Sequence, residues 1–462
     1  MAKFIDCKTH LVPGKLAVSE YFFELPKDYT NPSLGALRVF ARGVRKYENP
    51  VISLSEQEAS KQNPKPWLLF LQGGPGGACP PPQDVPMTNF ILNKGYQILY
   101  LDQRGTGLST AATAETLSLQ GDAEAQARYL KLFRADNIVK DCEALREFLT
   151  RDYPPEFKKW SVYGQSFGGF CAFTYLSKHP EGLREVFTSG GVPPIKRSPD
   201  EVYKATFHQM IKRNKAYYTK FPEDIASVYN IALHVEQRGG IQLPAGGVLT
   251  PQRFLTLGAV LGQTGGIDKL HNMMLRMNSD LKIFGFFTRP ILSAVEEVNS
   301  YDNHVIYSLI REAIYNPTEP TIWAAERVGA SIEQFKWISG VPISSFSERN
   351  APLYFSGGMV FPWMFDIYPE LKKLKPVAHI LAQNSEWPDL YDQHQLSNNK
   401  VPIYSASFVD DAYIDFNLAQ ETVEIVGNCR QYITNTMYHD AIRTKTVAIL
   451  EQLFTLRDDV MD

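Results

Sequence analysis

Ser166 stands in Trp160-Ser161-Val162-Tyr163-Gly164-Gln165-Ser166-Phe167-Gly168-Gly169-Phe170, a Gly-x-Ser-x-Gly run between a strand-like segment and a helix-like one. The helix-like segment, Phe170 to Lys178, stops before Pro180. Glycine on both sides of a serine lets the chain turn sharply and lifts the hydroxyl clear of a sheet. The N-terminus of the following helix then favours negative charge developing at that point. The chemistry this suits is nucleophilic attack on a carbonyl carbon. An ordinary glycine turn has the same composition, so the flanking strand and helix are what favour the nucleophile. Such attack also needs two backbone N–H groups aimed at the tetrahedral oxyanion. One would come from Phe167, and the other from a loop after an upstream strand. Gln72-Gly73-Gly74-Pro75-Gly76-Gly77 follows the apolar run Trp67 to Leu71, and Gly74 is the expected donor. Loss of one such donor typically removes about 3 kcal/mol of transition-state stabilisation. A phosphate-binding loop would need GxGxxG or GxxxxGK[ST], and this cluster has neither.

A serine nucleophile needs a base, and the base an orienting acid, in chain order Ser…Asp…His for a strand–turn–helix nucleophile. Val409-Asp410-Asp411-Ala412-Tyr413 offers two carboxylates at the end of a strand-like run, and sequence alone leaves the choice between them open. Of nine histidines only His439 follows these aspartates, in a loop before the last helix. The remaining eight, from His10 to His394, read as surface or packing residues. No HExxH and no clustered His/Cys set argues for a metal, and no cofactor motif is present. Asp102-Gln103-Arg104-Gly105-Thr106-Gly107 reads as a structural turn held by an Asp/Arg pair.

The elements that must carry these residues form an α/β pattern. Val18 to Leu25 and Leu37 to Ala41 read as two strands around a turn. Trp67 to Gln72, Tyr96 to Leu101, Trp160 to Tyr163 and Glu185 to Ser189 read as buried strands. Between them, Ile138, Val139, Cys142, Leu145, Phe148 and Leu149 share one helical face. This alternation predicts a mostly parallel sheet covered by helices on both sides. From residue 195 to 375 the periodicity becomes helical, as in Asp200 to Phe221 and Ser293 to Tyr315. A strand returns at Val401 to Phe408, and an amphipathic helix, Ala441 to Leu456, closes the chain. The expected organisation is therefore a core of residues 1–194 and 376–462, interrupted by a mainly helical insertion at 195–375.

The 462 residues are 44% hydrophobic and 21% charged, with a formal net charge of −3, enough for a large core and without the basic face of a nucleic-acid binder. The first residues lack the apolar core of a signal peptide, and no run approaches the roughly 18 apolar residues of a membrane helix. Five scattered cysteines, odd in number and without a CxxC pair, suit reduced thiols. Asn-x-Ser/Thr triplets carry Pro in the middle, as in Asn31-Pro32-Ser33. These features lead us to expect a cytoplasmic enzyme without membrane or nucleic-acid partners; oligomeric state is not legible.

Taken together, QGGPGG, DQRGTGLS, VYGQSFGGF, DDAY and the His439-Asp440 motif resemble the prolyl aminopeptidases (proline iminopeptidases), in the larger microbial and fungal branch with Gln before GGPG. The resemblance spans nearly the whole chain. It implies an α/β-hydrolase fold with a helical cap, and release of N-terminal proline from small peptides by a Ser-His-Asp mechanism. By the same resemblance Ser166 is the nucleophile, His439 the base and Asp411 the orienting acid, with Asp410 one register away. Arg311-Glu312-Ala313-Ile314-Tyr315 resembles a stretch whose glutamate holds the substrate's amino terminus, which makes Glu312 the candidate anchor. Tyr315, Trp323 and Trp363 are candidates for an apolar pocket around the proline ring. Gly358, in Phe355-Ser356-Gly357-Gly358, is a departure, since the family commonly has Glu there. A carboxylesterase with a re-tasked cap is the competing enzyme reading. A non-catalytic hydrolase-fold module is disfavoured, because such modules usually lose a member of the triad.

Overall fold

The computed structural model describes residues 2–47, 65–298, 300–349 and 352–459. Eleven strands are present among them: β1 (Lys3–Val12), β2 (Leu16–Pro26), β3 (Ala36–Lys46), β4 (Trp67–Leu71), β5 (Gln97–Asp102), β6 (Trp160–Gln165), β7 (Leu183–Ser189), β8 (Ile241–Gln242), β9 (Val248–Leu249), β10 (Ile403–Phe408) and β11 (Cys429–Thr434). Nine form one sheet in the order β1-β2-β3-β5-β4-β6-β7-β10-β11, while β8 and β9 make a separate antiparallel pair. β1, β2, β3 and β5 pair antiparallel, and every neighbour from β5 to β11 is parallel.

The central strands are apolar because both faces of the sheet are covered. All five residues of β4 and all six of β6 are buried. Their side chains alternate between two cores, as strand pleating requires. Leu69, Leu71, Leu99, Leu101 and Val162 pack with the helices Ala135–Leu149 and Phe167–Lys178. Leu68, Phe70, Ile98, Tyr100 and Tyr163 pack on the other side with Ile91, Leu450 and Phe454 of Met87–Asn93 and Thr446–Asp458.

Between β7 and β10 the chain leaves the sheet and is mainly helical, beginning with Pro199–Lys220. Ser198 caps that helix reciprocally with Glu201, the Ser-x-x-Glu box that starts a helix cleanly. The segment read as continuous helix from Ser293 to Tyr315 is instead broken into Arg289–Val298, a 3-10 turn at Tyr301–Asn303, Val305–Ile310 and a 3-10 turn at Ala313–Tyr315. Ser, Asp and Asn at positions 300, 302 and 303 compete for backbone hydrogen bonds, which favours turns over helix interior. The last helix is likewise two, Ala441–Thr444 and Thr446–Asp458, parted at Lys445. Four strands have no counterpart in the sequence reading: the short pair β8 and β9, and the two edges of the main sheet. β1 is an edge strand with mostly exposed side chains on both faces, and β11 is the half-exposed opposite edge.

The expected Asp/Arg pair within the 102–107 turn does not form. Asp102 accepts from the N–H groups of Cys79 (2.9 Å) and Leu108 (3.0 Å), which holds two loops at the end of β5. Arg104 reaches instead to Asp141 on the helix Ala135–Leu149, with Nη2–Oδ1 at 2.5 Å and Nε–Oδ2 at 2.7 Å. Both side chains of that pair are almost fully buried. Arg104 also donates to the carbonyls of Lys27 and Leu132, so it ties the N-terminal hairpin to the core. No helix among the described residues is long and apolar enough to cross a membrane.

Candidate active site

Ser166 ends β6 and begins the helix Phe167–Lys178, with φ 55° and ψ −122°. That positive φ is strained for a residue with a side chain and places the hydroxyl at the tip of the turn. The turn closes only because its neighbours lack side chains. A Cβ on Gly164 would lie 2.4 Å from the carbonyl oxygen of Gly168, and one on Gly168 would lie 1.9 Å from that of Leu71.

His439 and Asp411 arrive from loops after β11 and β10 respectively. His439 Nε2 lies 2.9 Å from Ser166 Oγ, and its Nδ1 lies 2.7 Å from Asp411 Oδ2. The other oxygen of Asp411 accepts from the N–H groups of Tyr413 (2.8 Å) and Ile414 (3.0 Å). These donors fix the carboxylate, and an ionised carboxylate only accepts, so Nδ1 carries the proton and Nε2 is free to take one from serine. Asp411 is 2% exposed. Asp410, the alternative, is half-buried and is not the carboxylate on His439. The Tyr413 ring lies 4.7 Å from the imidazole, centroid to centroid. Asp440, next to the histidine, accepts from both N–H and Oγ1 of Thr264, which pins the His439 loop to the inserted helices.

Phe167 opens its helix, where the first N–H groups have no intrahelical partner. In the facing loop, the N–H of Gly73 is committed to Oε1 of Gln72 at 3.0 Å, and the next N–H along the chain is that of Gly74. Gly74 has φ 131°, a conformation open to glycine. Space is tight here, since a Cβ on Gly73 would stand 3.0 Å from that of Ser166.

A cavity of about 430 Å³ opens onto Ser166 and His439. The sheet side supplies Gly73, Gly74, Phe167 and Phe170, and the inserted segment supplies Tyr301, Tyr307, Arg311 and Gly358. Tyr307 donates to the carbonyl of Gly358 (2.6 Å) and Tyr301 to that of Met359 (3.1 Å). Burial raises the phenol pKa values of Tyr301 and Tyr413, so both stay protonated. Burial also holds the His304 imidazole below its ordinary value. A side chain at Gly358 would begin 3.0 Å from the Tyr413 ring and 3.2 Å from the Tyr307 hydroxyl, so these two tyrosines fill the space a glutamate would enter.

The four residues expected to bind substrate are placed outside the lining of this cavity. Glu312 lines a small side cavity, not the one that holds Ser166. Its Oε1 accepts from Ala325 N–H (3.0 Å) at the start of the helix Ala324–Ala330, and burial pushes its carboxyl above the usual range. It acts there as a structural acceptor. Trp323 borders the same side cavity and donates to His379. Tyr315 packs edge-on against Phe170 and Tyr203, behind the cavity wall, and Trp363 stacks on Phe361. None of these four is among the residues lining the main cavity. The residues that do, Tyr301, Tyr307 and Arg311, were missed because the breaks at 301–304 reset the helical phase. Glu297 stands exposed at the rim of the main cavity. Among the described residues, Glu143, His179 and Glu181 approach one another as metal ligands would, but Glu143 is already bonded to Arg146 and Tyr175.

Comparison with known proteins adds to this geometry. A family model described as the alpha/beta hydrolase fold matches residues 66–233. Proline iminopeptidase aneH of Aspergillus aculeatus is 42% identical over 461 residues, covering 100% of this chain and 98% of that protein. A proline iminopeptidase of Aeromonas sobria is 36% identical over 451 residues, covering 97% of this chain and 99% of its own length. Among solved structures, a proline iminopeptidase of Mycobacterium smegmatis aligns with a TM-score of 0.40 at 12% identity, over 95% of this chain and 98% of the other.

Proposed function

The chain belongs to the proline iminopeptidase family of α/β hydrolases, and from that premise we propose that it releases N-terminal proline from small peptides through Ser166, His439 and Asp411. The observation that carries the reading is the unbroken relay from Ser166 Oγ to His439 (2.9 Å) and on to Asp411 (2.7 Å) beside a cavity of about 430 Å³. His439 takes the serine proton as Oγ attacks the carbonyl carbon of the first residue. The N–H groups of Gly74 and Phe167 stabilise the oxyanion, and Asp411 holds the imidazole in the useful tautomer. His439 then protonates the leaving amine, and water repeats the sequence on the acyl-enzyme.

A substrate ammonium entering the cavity needs a carboxylate, because an unpaired buried charge costs several kcal/mol. Glu312 is committed to the helix at Ala325 and Asp440, which also lines the cavity, to Thr264, so we assign that contact to Glu297 at the cavity's rim. We read residues 195–375 as the cap and 1–194 with 376–462 as the core. We also place the protein in the cytoplasm, on the strength of five cysteines that are all free thiols. Gly358 favours a second reading, an ester hydrolase with a re-tasked cap.

The test compares the protein and its Ser166→Ala variant on a proline arylamide, an alanine arylamide and a short-chain aryl ester. Rapid Ser166-dependent cleavage of the proline amide is the expected result. Ester turnover without amide turnover would move the function to esterase.

A further inference from the structure

Arg311 has no part in the reaction above, yet it lines both the main cavity and the small side cavity beside Glu312. The residue is 6% exposed, and its Nε has no hydrogen-bond partner among the described residues. Burial is the first influence on it, and the polar groups that surround it are the phenols of Tyr307, Tyr315, Tyr203 and Tyr301. The rings of Tyr307 and Tyr315 lie 5.3 and 5.1 Å from it, in cation–π range. Glu312, its neighbour in sequence, turns its carboxylate to Ala325 instead. The phenol oxygens of Tyr203 and Tyr315 can accept from it, but only as neutral groups, and the shift at Tyr315 registers Arg311 as such a donor. Burial raises the pKa of both phenols, that of Tyr315 to about 12, so neither supplies a compensating anion.

A guanidinium keeps its proton even when buried. Aromatic faces offset only part of the loss of water, and a buried cation without an anion is the arrangement proteins avoid outside binding sites. Arg311 is moreover built to grip a carboxylate, with parallel N–H donors in a planar fork. The cavity, at about 430 Å³, is within the range of roughly 300–1,000 Å³ that encloses a small ligand.

We propose that Arg311 is a specificity-determining residue that binds a carboxylate of the substrate within the cavity, so that the preferred substrates are short peptides bearing an anionic group. The carboxylate is the C-terminus of a di- or tripeptide or the side chain of an acidic residue. This deepens the aminopeptidase reading and rests on it.

The test measures kcat/KM on two matched pairs: Pro-Gly against Pro-Gly-amide, and Pro-Glu-amide against Pro-Gln-amide. A proline arylamide serves as the reference that tests the aminopeptidase reading itself. Wild-type protein should favour the acid member of at least one pair roughly tenfold or more, as hydrogen bonds to a charged group imply. The pair that shows the preference identifies the source of the carboxylate. In Arg311→Gln the preference should fall to about one, and Arg311→Lys should keep part of it, as a point charge without the fork. A wild-type ratio near one in both pairs overturns the proposal without any variant, and so does a preference that survives Arg311→Gln. Should wild type cleave no amide, the aminopeptidase reading fails by itself. Aryl hemisuccinate against aryl butyrate then makes the same comparison, with the same two outcomes for Arg311.

Discussion

Replacing Asp411 by Asn changes one atom and leaves the shape of the site intact. Oδ1 of Asp411 accepts from the N–H groups of Tyr413 and Ile414, and an Asn at 411 must keep its carbonyl oxygen there or leave both donors unmatched. Its NH₂ then faces Nδ1 of His439, 2.7 Å from the atom it replaces, and turns Nδ1 into an acceptor. The proton moves to Nε2, which lies 2.9 Å from Ser166 Oγ and can no longer take the serine proton. A wrong tautomer in a serine–histidine–acid relay costs about ten-thousand-fold in kcat. That corresponds to roughly 5 kcal/mol at 1.36 kcal/mol per decade. Steady-state kinetics on a proline arylamide, with circular dichroism to verify the fold, measures it. Asp410→Asn is the control, since that side chain is not the one on the imidazole, and it should stay within a few-fold of wild type. Asp411→Asn within tenfold of wild type, or an equal loss in Asp410→Asn, would refute the reasoning.

Glu312→Gln should affect proline amides and aryl esters equally, because the side chain borders a different cavity; a loss confined to amides would restore it to the amine-binding role. The same variant tests linkage. Burial raises the folded-state pKa of Glu312 above 4.5, so its stabilising contribution is present below about pH 4.5 and is lost as pH rises through the folded value. Denaturation midpoints should therefore shift in favour of Gln between pH 4 and pH 8. Gly74→Ala should lower kcat roughly a hundredfold with the fold retained, because a Cβ would stand 2.8 Å from Gly76 N and disturb the oxyanion donor; unchanged kcat would remove Gly74 from that role. Arg104→Met strands Asp141 in the core and should cost roughly 3–5 kcal/mol in guanidinium-induced unfolding; a loss below about 1 kcal/mol would mean the pair is not buried as described.

How far the sequence carries depends on what sets each position. The central strands β4 and β6 are legible because burial on both faces leaves an unbroken apolar run, as in Trp67–Leu71. Ser166 is legible because its turn admits only glycine at Gly164 and Gly168, a constraint written in the residue types themselves. β1 is invisible for the opposite reason, since a two-sided exposed edge has no apolar period to read. Asp410 and Asp411 cannot be told apart from composition, because the choice is made by the backbone donors of Tyr413 and Ile414 in the turn after β10. The inserted segment hides most. Between residues 289 and 315 its helices are short and separated by 3-10 turns, so the phase that would aim a side chain is lost at each break. Arg311 and Glu312 illustrate this, as adjacent residues of which one lines the main cavity and the other does not.

The central claim is that Ser166 is the nucleophile of a working relay, and covalent labelling tests it most directly. A serine-directed fluorophosphonate, followed by peptide mapping, should place one label per chain on Ser166, with labelling abolished in Ser166→Ala and strongly slowed in His439→Ala. A label on another serine, or an unlabelled protein that still cleaves proline arylamide, would contradict the account.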